Sequence, residues 1–197
     1  MTTFANVLLW IHMENTLKEF DEAVALCREL FLKKMDDYGL SWRVLRPMSI
    51  TDQLFIKAQR IRSIEEKGCQ FVGGIGDDIR SEYMGIVNYS VMAQIQLAEG
   101  SGTTEGESLD KVRVQEWYDL YVRNARELLQ NKNHDYDEAW RQMRITSFVD
   151  IILMKLMRVK QIEDHQGSTL VSEGLSANFY DIFNYAVFAL IRSKKIK

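Results

Sequence analysis

Proline is almost missing from this chain. Pro47 stands alone in 197 residues, and because proline interrupts the backbone hydrogen-bond ladder, its scarcity favours long helices. Cysteine is nearly as scarce: Cys27 and Cys69 lie far apart without a CxxC spacing, which argues against a disulfide framework and against a thiolate zinc site. Three histidines, His12, His134 and His165, are too few to build a histidine-based metal phosphohydrolase centre around the dipeptide His134-Asp135. A positive excess is also lacking. The net charge of −3 disfavours nucleic acid as a partner, since a general binder presents a strongly basic face. No long hydrophobic run occurs. The opening MTTFANVLLWIHMENT holds an apolar stretch of roughly ten residues, without a basic leader region and too short to span a bilayer. The expectation is a cytoplasmic protein with a docked N-terminal helix or lead-in and no membrane partner.

What is present is enough apolar material for a real core, 46% of residues with 11% aromatics, and an internal duplication. With a shift of 98 positions, Asp21–Glu66 lies over Asp119–Asp164 without a gap, and 17 of the 46 positions are identical. Ile79–Ile95 matches Leu175–Ile191 at a shift of 96, so the two-residue length difference falls between Gly68 and Asp78, where a loop is expected. The Gly/Ser/Thr-rich stretch AEGSGTTEGES (98–108) separates the copies. Residues 1–98 and 107–197 are therefore read as two helical repeats packed into one globule.

The identities are unusual in kind. Asp37/Asp135, Tyr38/Tyr136, Trp42/Trp140, Arg43/Arg141, Arg46/Arg144, Asp52/Asp150, Lys57/Lys155, Arg60/Arg158, Asn88/Asn184 and Tyr89/Tyr185 persist, while Ile56 has become Met154, Ala58 Leu156 and Gln59 Met157. A purely structural repeat should hold its core volumes and let its charges drift. Two readings account for the reverse pattern: a shared ligand-binding role, or buried ion pairs and caps that hold the repeats together. Paired lysines and arginines (57, 60, 43 and their twins) suit an anionic ligand, because guanidinium forks match phosphate oxygens. Trp42/Trp140 and Tyr38/Tyr136 either stack a base or fill the core.

Each copy reads as three helices, giving an all-α, duplicated three-helix repeat in a pseudo-twofold bundle. The first helix spans about 16–34, with Phe20, Val24, Cys27 and Phe31 at helical spacing. Gly39 breaks it. The second starts near Ser49, where Ser49-x-x-Asp52 and Ser147-x-x-Asp150 resemble capping boxes, and ends at Gly68. The third starts near Asp77-Asp78 and runs to about Leu97. In the second copy the helices fall at about 108–132, 147–165 and 173–193. At 100° per residue Ser49, Gln53, Lys57 and Arg60 share an arc of about 80°. Glu82, Gly85 and Tyr89 share a face of the third helix with Asn88 at its margin, and Asn178, Asp181, Tyr185 and Asn184 are their twins. The Met-rich ILMKLM (152–157) reads as core filling, Cys27 as a small buried hydrophobe, VGGIG (72–76) as a loop rather than a phosphate cradle, and KKIK at the end as a solvated tail.

The strings KKMDDYGLSWRVLRPMSITDQLFIKAQRIRSIEE and NKNHDYDEAWRQMRITSFVDIILMKLMRVKQIED, with EYMGIVNYSVMAQIQL and NFYDIFNYAVFALI, resemble the nucleotide modification associated domain 1 family. The resemblance implies a fold similar to the all-α nucleoside triphosphate pyrophosphohydrolases, the MazG and dimeric dUTPase group, in which a helical bundle holds magnesium over a nucleotide's phosphates. Active members of that group carry EExxE on one helix and ExxD on the next, which set hard oxygen ligands on one face. This chain lacks EExxE, and its ExxD counterparts, Glu82-x-x-Gly85 and Asn178-x-x-Asp181, keep one acid each. Only by pooling Glu82, Asp181, Asp52 and Asp150 across the pseudo-twofold can several carboxylates be gathered for Mg²⁺, with Glu82 and Asp181 as first-choice ligands. The functional expectation is thus a nucleotide-binding protein, a candidate Mg²⁺-dependent pyrophosphohydrolase of (deoxy)nucleoside triphosphates. The alternative is a non-catalytic helical module that senses a nucleotide or binds a partner protein. A homo-oligomer is left open.

Overall fold

The computed structural model describes residues 2–68, 79–102, 110–136, 138–171 and 173–193, with side chains from residue 14 onward except those of 134 and 136. VGGIG, Asp77-Asp78, Cys69, the side chain of Tyr136, most of the linker and the terminal KKIK lie outside the described residues. Among the described residues six helices run in the order α1 (Thr2–Tyr38), α2 (Pro47–Lys67), α3 (Ile79–Glu99), α4 (Lys111–Tyr136), α5 (Ile145–Asp164) and α6 (Leu175–Ser193). A short 3-10 turn precedes α2 (Ser41–Val44) and α5 (Ala139–Gln142). The order is one pattern repeated.

Local chemistry sets the boundaries. Neither proline nor glycine interrupts the chain before Gly39, so the apolar lead-in is continuous with α1 rather than a separate helix. Gly39, at φ +62°, then turns the chain through the left-handed region. α2 begins earlier than the Ser49 capping box predicts. Arg46 is its N-cap, in extended conformation, and Pro47 takes the first helical position, where a missing N–H costs nothing. α5 likewise starts after Arg144, and neither N-cap makes a side-chain cap. Asp52 and Asp150 therefore sit well inside their helices, not at the caps. Gly68 closes α2 with φ +63°, its N–H bonded to the Ile64 carbonyl, as its sequence position predicts.

Phe20, Val24, Cys27, Phe31 and Met35 of α1 are buried, and each fully buried large side chain contributes about 1.5–3 kcal/mol. Burial pushes the Cys27 thiol up to about 12, so it stays an inert part of the core. In ILMKLM only Ile152, Leu153 and Leu156 are core; Met154 and Met157 are exposed, because they fall off the buried stripe of α5.

The repeats pack through equivalent elements. α3 meets α6, α2 meets α5 and α1 meets α4, while the cross-pairs α1·α6 and α3·α4 occur together, as a twofold relation demands. Side chains repeat the symmetry. Arg28 forks onto Asp119 at 2.7 and 2.9 Å, and its twin Arg126 forks onto Asp21 at 2.8 and 3.0 Å. Lys160 reaches Asp52 (2.5 Å), and its twin Arg62 lies 3.8 Å from Asp150. Arg80 at the start of α3 bonds the Leu190 carbonyl near the end of α6, and Ser176 at the start of α6 bonds Gln94 near the end of α3, so these central helices run antiparallel. Among the described residues α3 and α6 bury the most side chains, and the core lies around them.

Candidate functional site

The persistent polar pairs divide into two groups. One group is structural framing. Asn88 Nδ2 donates to the Cys27 carbonyl of α1 (3.0 Å), and Asn184 Nδ2 to the twin carbonyl of Ala125 (3.2 Å). The Arg43 guanidinium is buried and bonded to Gln96 Oε1, while Gln96 Nε2 donates back to the carbonyls of Arg43 (2.9 Å) and Leu45 (2.5 Å). Arg192, the twin of Gln96, bonds the Arg141 carbonyl. Arg141 itself is held by Glu138 (2.5 Å), Glu19 (2.7 Å) and Thr16. Gln96 and Arg192 thus fasten each 3-10 turn to the third helix of its repeat, and Arg141 also ties the second turn to α1 of repeat one. Asp52 and Asp150 join the framing group through their ion pairs across the α2–α5 seam.

The other group gathers around helix-three carboxylates. In repeat one Lys57 (3.1 Å) and Arg60 (2.8 Å) of α2 both bind Glu82 of α3. In repeat two Lys155 of α5 (2.6 Å) and Lys132 of α4 (2.5 Å) both bind Asp181 of α6. The carboxylate has moved by one helical turn between the copies, from 82 to the position of Gly85, yet it meets the same lysine. Gly85 is what allows the first arrangement: a Cβ there would lie 2.9 Å from Lys57 Cε, which crosses the glycine on its way to Glu82. Asn178, the twin of Glu82, is used to bond the carbonyls of Glu173 and Gly174 at the start of α6. Burial penalises the charge on Lys132, but the Asp181 carboxylate outweighs it and holds its pKa above the ordinary value.

A cavity of about 470 Å³ opens beside the second cluster, walled by Leu129, Lys132 and Asn133 of α4, Trp140 and Met143 after it, Lys155, and Asp181, Asn184, Tyr185 and Phe188 of α6. Trp140 is 6% exposed; its ring stacks on Phe188 (4.2 Å, 5°) and carries the Arg141 guanidinium at 4.3 Å. It serves as a packed wall, not a free stacking platform. Asn133 Nδ2, Trp140 Nε1 and Asn184 Oδ1 are buried in this wall without a hydrogen-bond partner among the described residues, and Asn133 and Asn184 are only 7% and 5% exposed. Lys155 and Glu173 also border an open groove of about 730 Å³, lined further by Arg158, Gln161, His165 and the loop from Ser168 to Val171. Across cavity and groove, three cations (Lys132, Lys155, Arg158) face two carboxylates (Asp181, Glu173). Tyr38 stands 70% exposed at the end of α1, beside a smaller cavity in repeat one with Trp42.

The four carboxylates expected to hold magnesium are not brought together. Glu82 and Asp181 each sit between two cations, and Asp52 and Asp150 lie on the α2–α5 seam with their own partners. Among the described residues no group of three or more His, Cys, Asp or Glu side chains is placed to hold a metal. One carboxylate flanked by two positive groups does not fit a divalent cation that demands several oxygen ligands.

Lys132, Asn133, Glu173 and Phe188 were not singled out from the sequence. Lys132 carried a signal, as half of the identical pair Lys34/Lys132, and Asn133 another, as an amide where the first copy has the buried Met35. The family described as nucleotide modification associated domain 1 matches residues 34–97 and 132–192, the two halves of the duplication. No curated protein and no solved structure matches the chain. Among the described residues no helix is long and apolar enough to cross a membrane.

Proposed function

The chain belongs to the nucleotide modification associated domain 1 family, and from that premise we propose that it binds a (deoxy)nucleoside triphosphate in repeat two. The base enters the aromatic cavity of Trp140, Tyr185 and Phe188, and the phosphates run along the groove past Lys155 and Arg158. The observation that carries the reading is the set of three buried polar atoms without partners among the described residues, Asn133 Nδ2, Trp140 Nε1 and Asn184 Oδ1, in the wall of one cavity beside the groove that holds Lys155 and Arg158. Buried groups of this kind cost about 1–3 kcal/mol each when unmet, and a ring with donors and acceptors would satisfy them. The cavity's size lies within the usual range of small-molecule sites, about 300–1,000 Å³. One chain supplies every wall named here.

Between hydrolysis and binding alone, the ion pairing favours binding. Glu82 and Asp181 are already neutralised by lysine and arginine, which supports a nucleotide-sensing module over a Mg²⁺-dependent pyrophosphohydrolase. Calorimetric titration of the four ribo- and four deoxynucleoside triphosphates, with and without Mg²⁺, tests both points. Binding is expected without Mg²⁺. Arg158→Ala removes an exposed guanidinium, so it should weaken binding by about 1.5–3 kcal/mol, roughly ten- to a hundredfold in Kd, while the melting temperature holds. Pyrophosphate release that depends on Mg²⁺ would restore the hydrolase reading.

A further inference from the structure

The same cavity exists twice in this chain, and the copy in repeat one is much the smaller. In repeat one it shrinks to about 120 Å³, walled by Phe31, Met35, Trp42, Tyr89 and Met92 among others. Their twins Leu129, Asn133, Trp140, Tyr185 and Phe188 wall the cavity of about 470 Å³. Named replacements account for the difference. Phe31, where repeat two has Leu129, lays its ring against Tyr118 (4.7 Å) and Trp42 (6.4 Å). Met35 is buried where repeat two places the amide of Asn133. Asn88 Oδ1 accepts from the Tyr118 hydroxyl at 2.8 Å, but the twin of Tyr118 is Phe20, which has no hydroxyl to offer Asn184 Oδ1. Lys57 lies over the Tyr89 ring, 5.7 Å from its centroid, and crosses Gly85 to reach Glu82. Repeat one has thus filled its cavity and satisfied its asparagine, whereas repeat two has kept space and unmet polar groups together.

We propose that the chain binds one nucleotide, in repeat two only, with Phe31 and Met35 as the plug of the first cavity and Asn133 as the residue that selects a hydrogen-bonding ring in the second. This rests on the nucleotide reading above. Asn133 Nδ2, Trp140 Nε1–H and Asn184 Oδ1 are two donors and one acceptor held just behind the cavity surface, and the ring's polar edge meets them as the wall side chains turn toward it. In repeat one a ligand would have to displace aromatic and thioether packing, and among the described residues of that cavity wall only Trp42 Nε1 is left in that role.

The test is stoichiometry on the full chain. Each of the four deoxynucleoside triphosphates is titrated calorimetrically into the wild type, into Asn133→Met, and into the double variant Phe31→Leu with Met35→Asn. One equivalent is expected for the wild type. Asn133→Met should weaken binding by roughly tenfold or more, the loss expected when a polar group of the ligand is left unmet, and the double variant should bind a second equivalent. Should the double variant fail to fold, Trp140→Phe and Trp42→Phe decide instead: each keeps an aromatic ring without Nε1–H, and only Trp140→Phe should weaken binding. Two equivalents in the wild type, or equal effects of the two Trp→Phe changes, would overturn the one-site proposal and leave the nucleotide reading standing. No heat from any of these four or from the four ribonucleoside triphosphates would overturn both.

Discussion

At the scale of single residues, persistence between the two copies marks two different demands. Arg43, Arg141, Asn88 and Asn184 are retained because each ties a 3-10 turn or a third helix to a neighbouring element: Arg43 to Gln96, Arg141 to Glu19 of α1, and the two asparagines to carbonyls of α1 and α4. Lys57, Arg60 and Lys155 are retained because they meet a helix-three carboxylate. From the sequence both groups look alike, since identity records that a polar group is needed but not what it touches. Asn88 gives the cleanest test of the framing role. Tyr118→Phe removes the hydroxyl bonded to Asn88 Oδ1 and leaves a buried acceptor unmet, so it should destabilise the fold by about 1–3 kcal/mol in urea unfolding. It should leave nucleotide affinity unchanged, because Asn88 frames repeat one. A loss of stability too small to measure would mean that Asn88 is not held by this bond.

At the scale of elements, the sequence made the helices legible and their starts less so. Hydrophobic spacing located the buried face of α1, and Gly39 and Gly68 marked two ends correctly. The Ser-x-x-Asp pattern misplaced the starts of α2 and α5, because Pro47 and Ile145 enter the helix first and the extended Arg46 and Arg144 serve as N-caps without side-chain bonds. Gly85 shows a subtler conflict between local and tertiary preference. A glycine inside α3 costs about 1 kcal/mol of helix propensity relative to alanine, and here it gives room to Lys57. The crowding atoms are the far end of a flexible side chain, and Arg60 keeps Glu82 paired if the lysine swings away. Gly85→Ala should therefore raise stability, by up to about 1 kcal/mol, seen as a higher urea midpoint. A fall in the midpoint would show that the Lys57–Glu82 contact outweighs the helix propensity.

At the scale of the whole molecule, the duplication was readable as a repeat, and its pseudo-twofold assembly followed from it; the inequality of the two cavities did not, because it depends on which of two drifting positions fills a space. The assembly itself makes the last prediction. Each repeat buries the inner faces of its second and third helices against the other repeat, through α2·α5 and α3·α6, so neither has a complete core alone. A second copy of the same repeat could supply the missing half, because the pairs that cross the axis are self-complementary. In a dimer of residues 107–197, Arg126 would meet Asp119 of the other copy, as Arg28 now does, and Lys160 would meet Asp150, as Arg62 now does. These half-exposed ion pairs are worth only about 0–1 kcal/mol each, so they fix register while the apolar faces of α5 and α6 provide the affinity. The isolated 107–197 segment should accordingly sediment as a helical homodimer whose helical circular dichroism is lost on dilution. A folded monomer at all concentrations would show instead that each repeat carries its own core, and that the contacts between α3 and α6 join two domains rather than complete one.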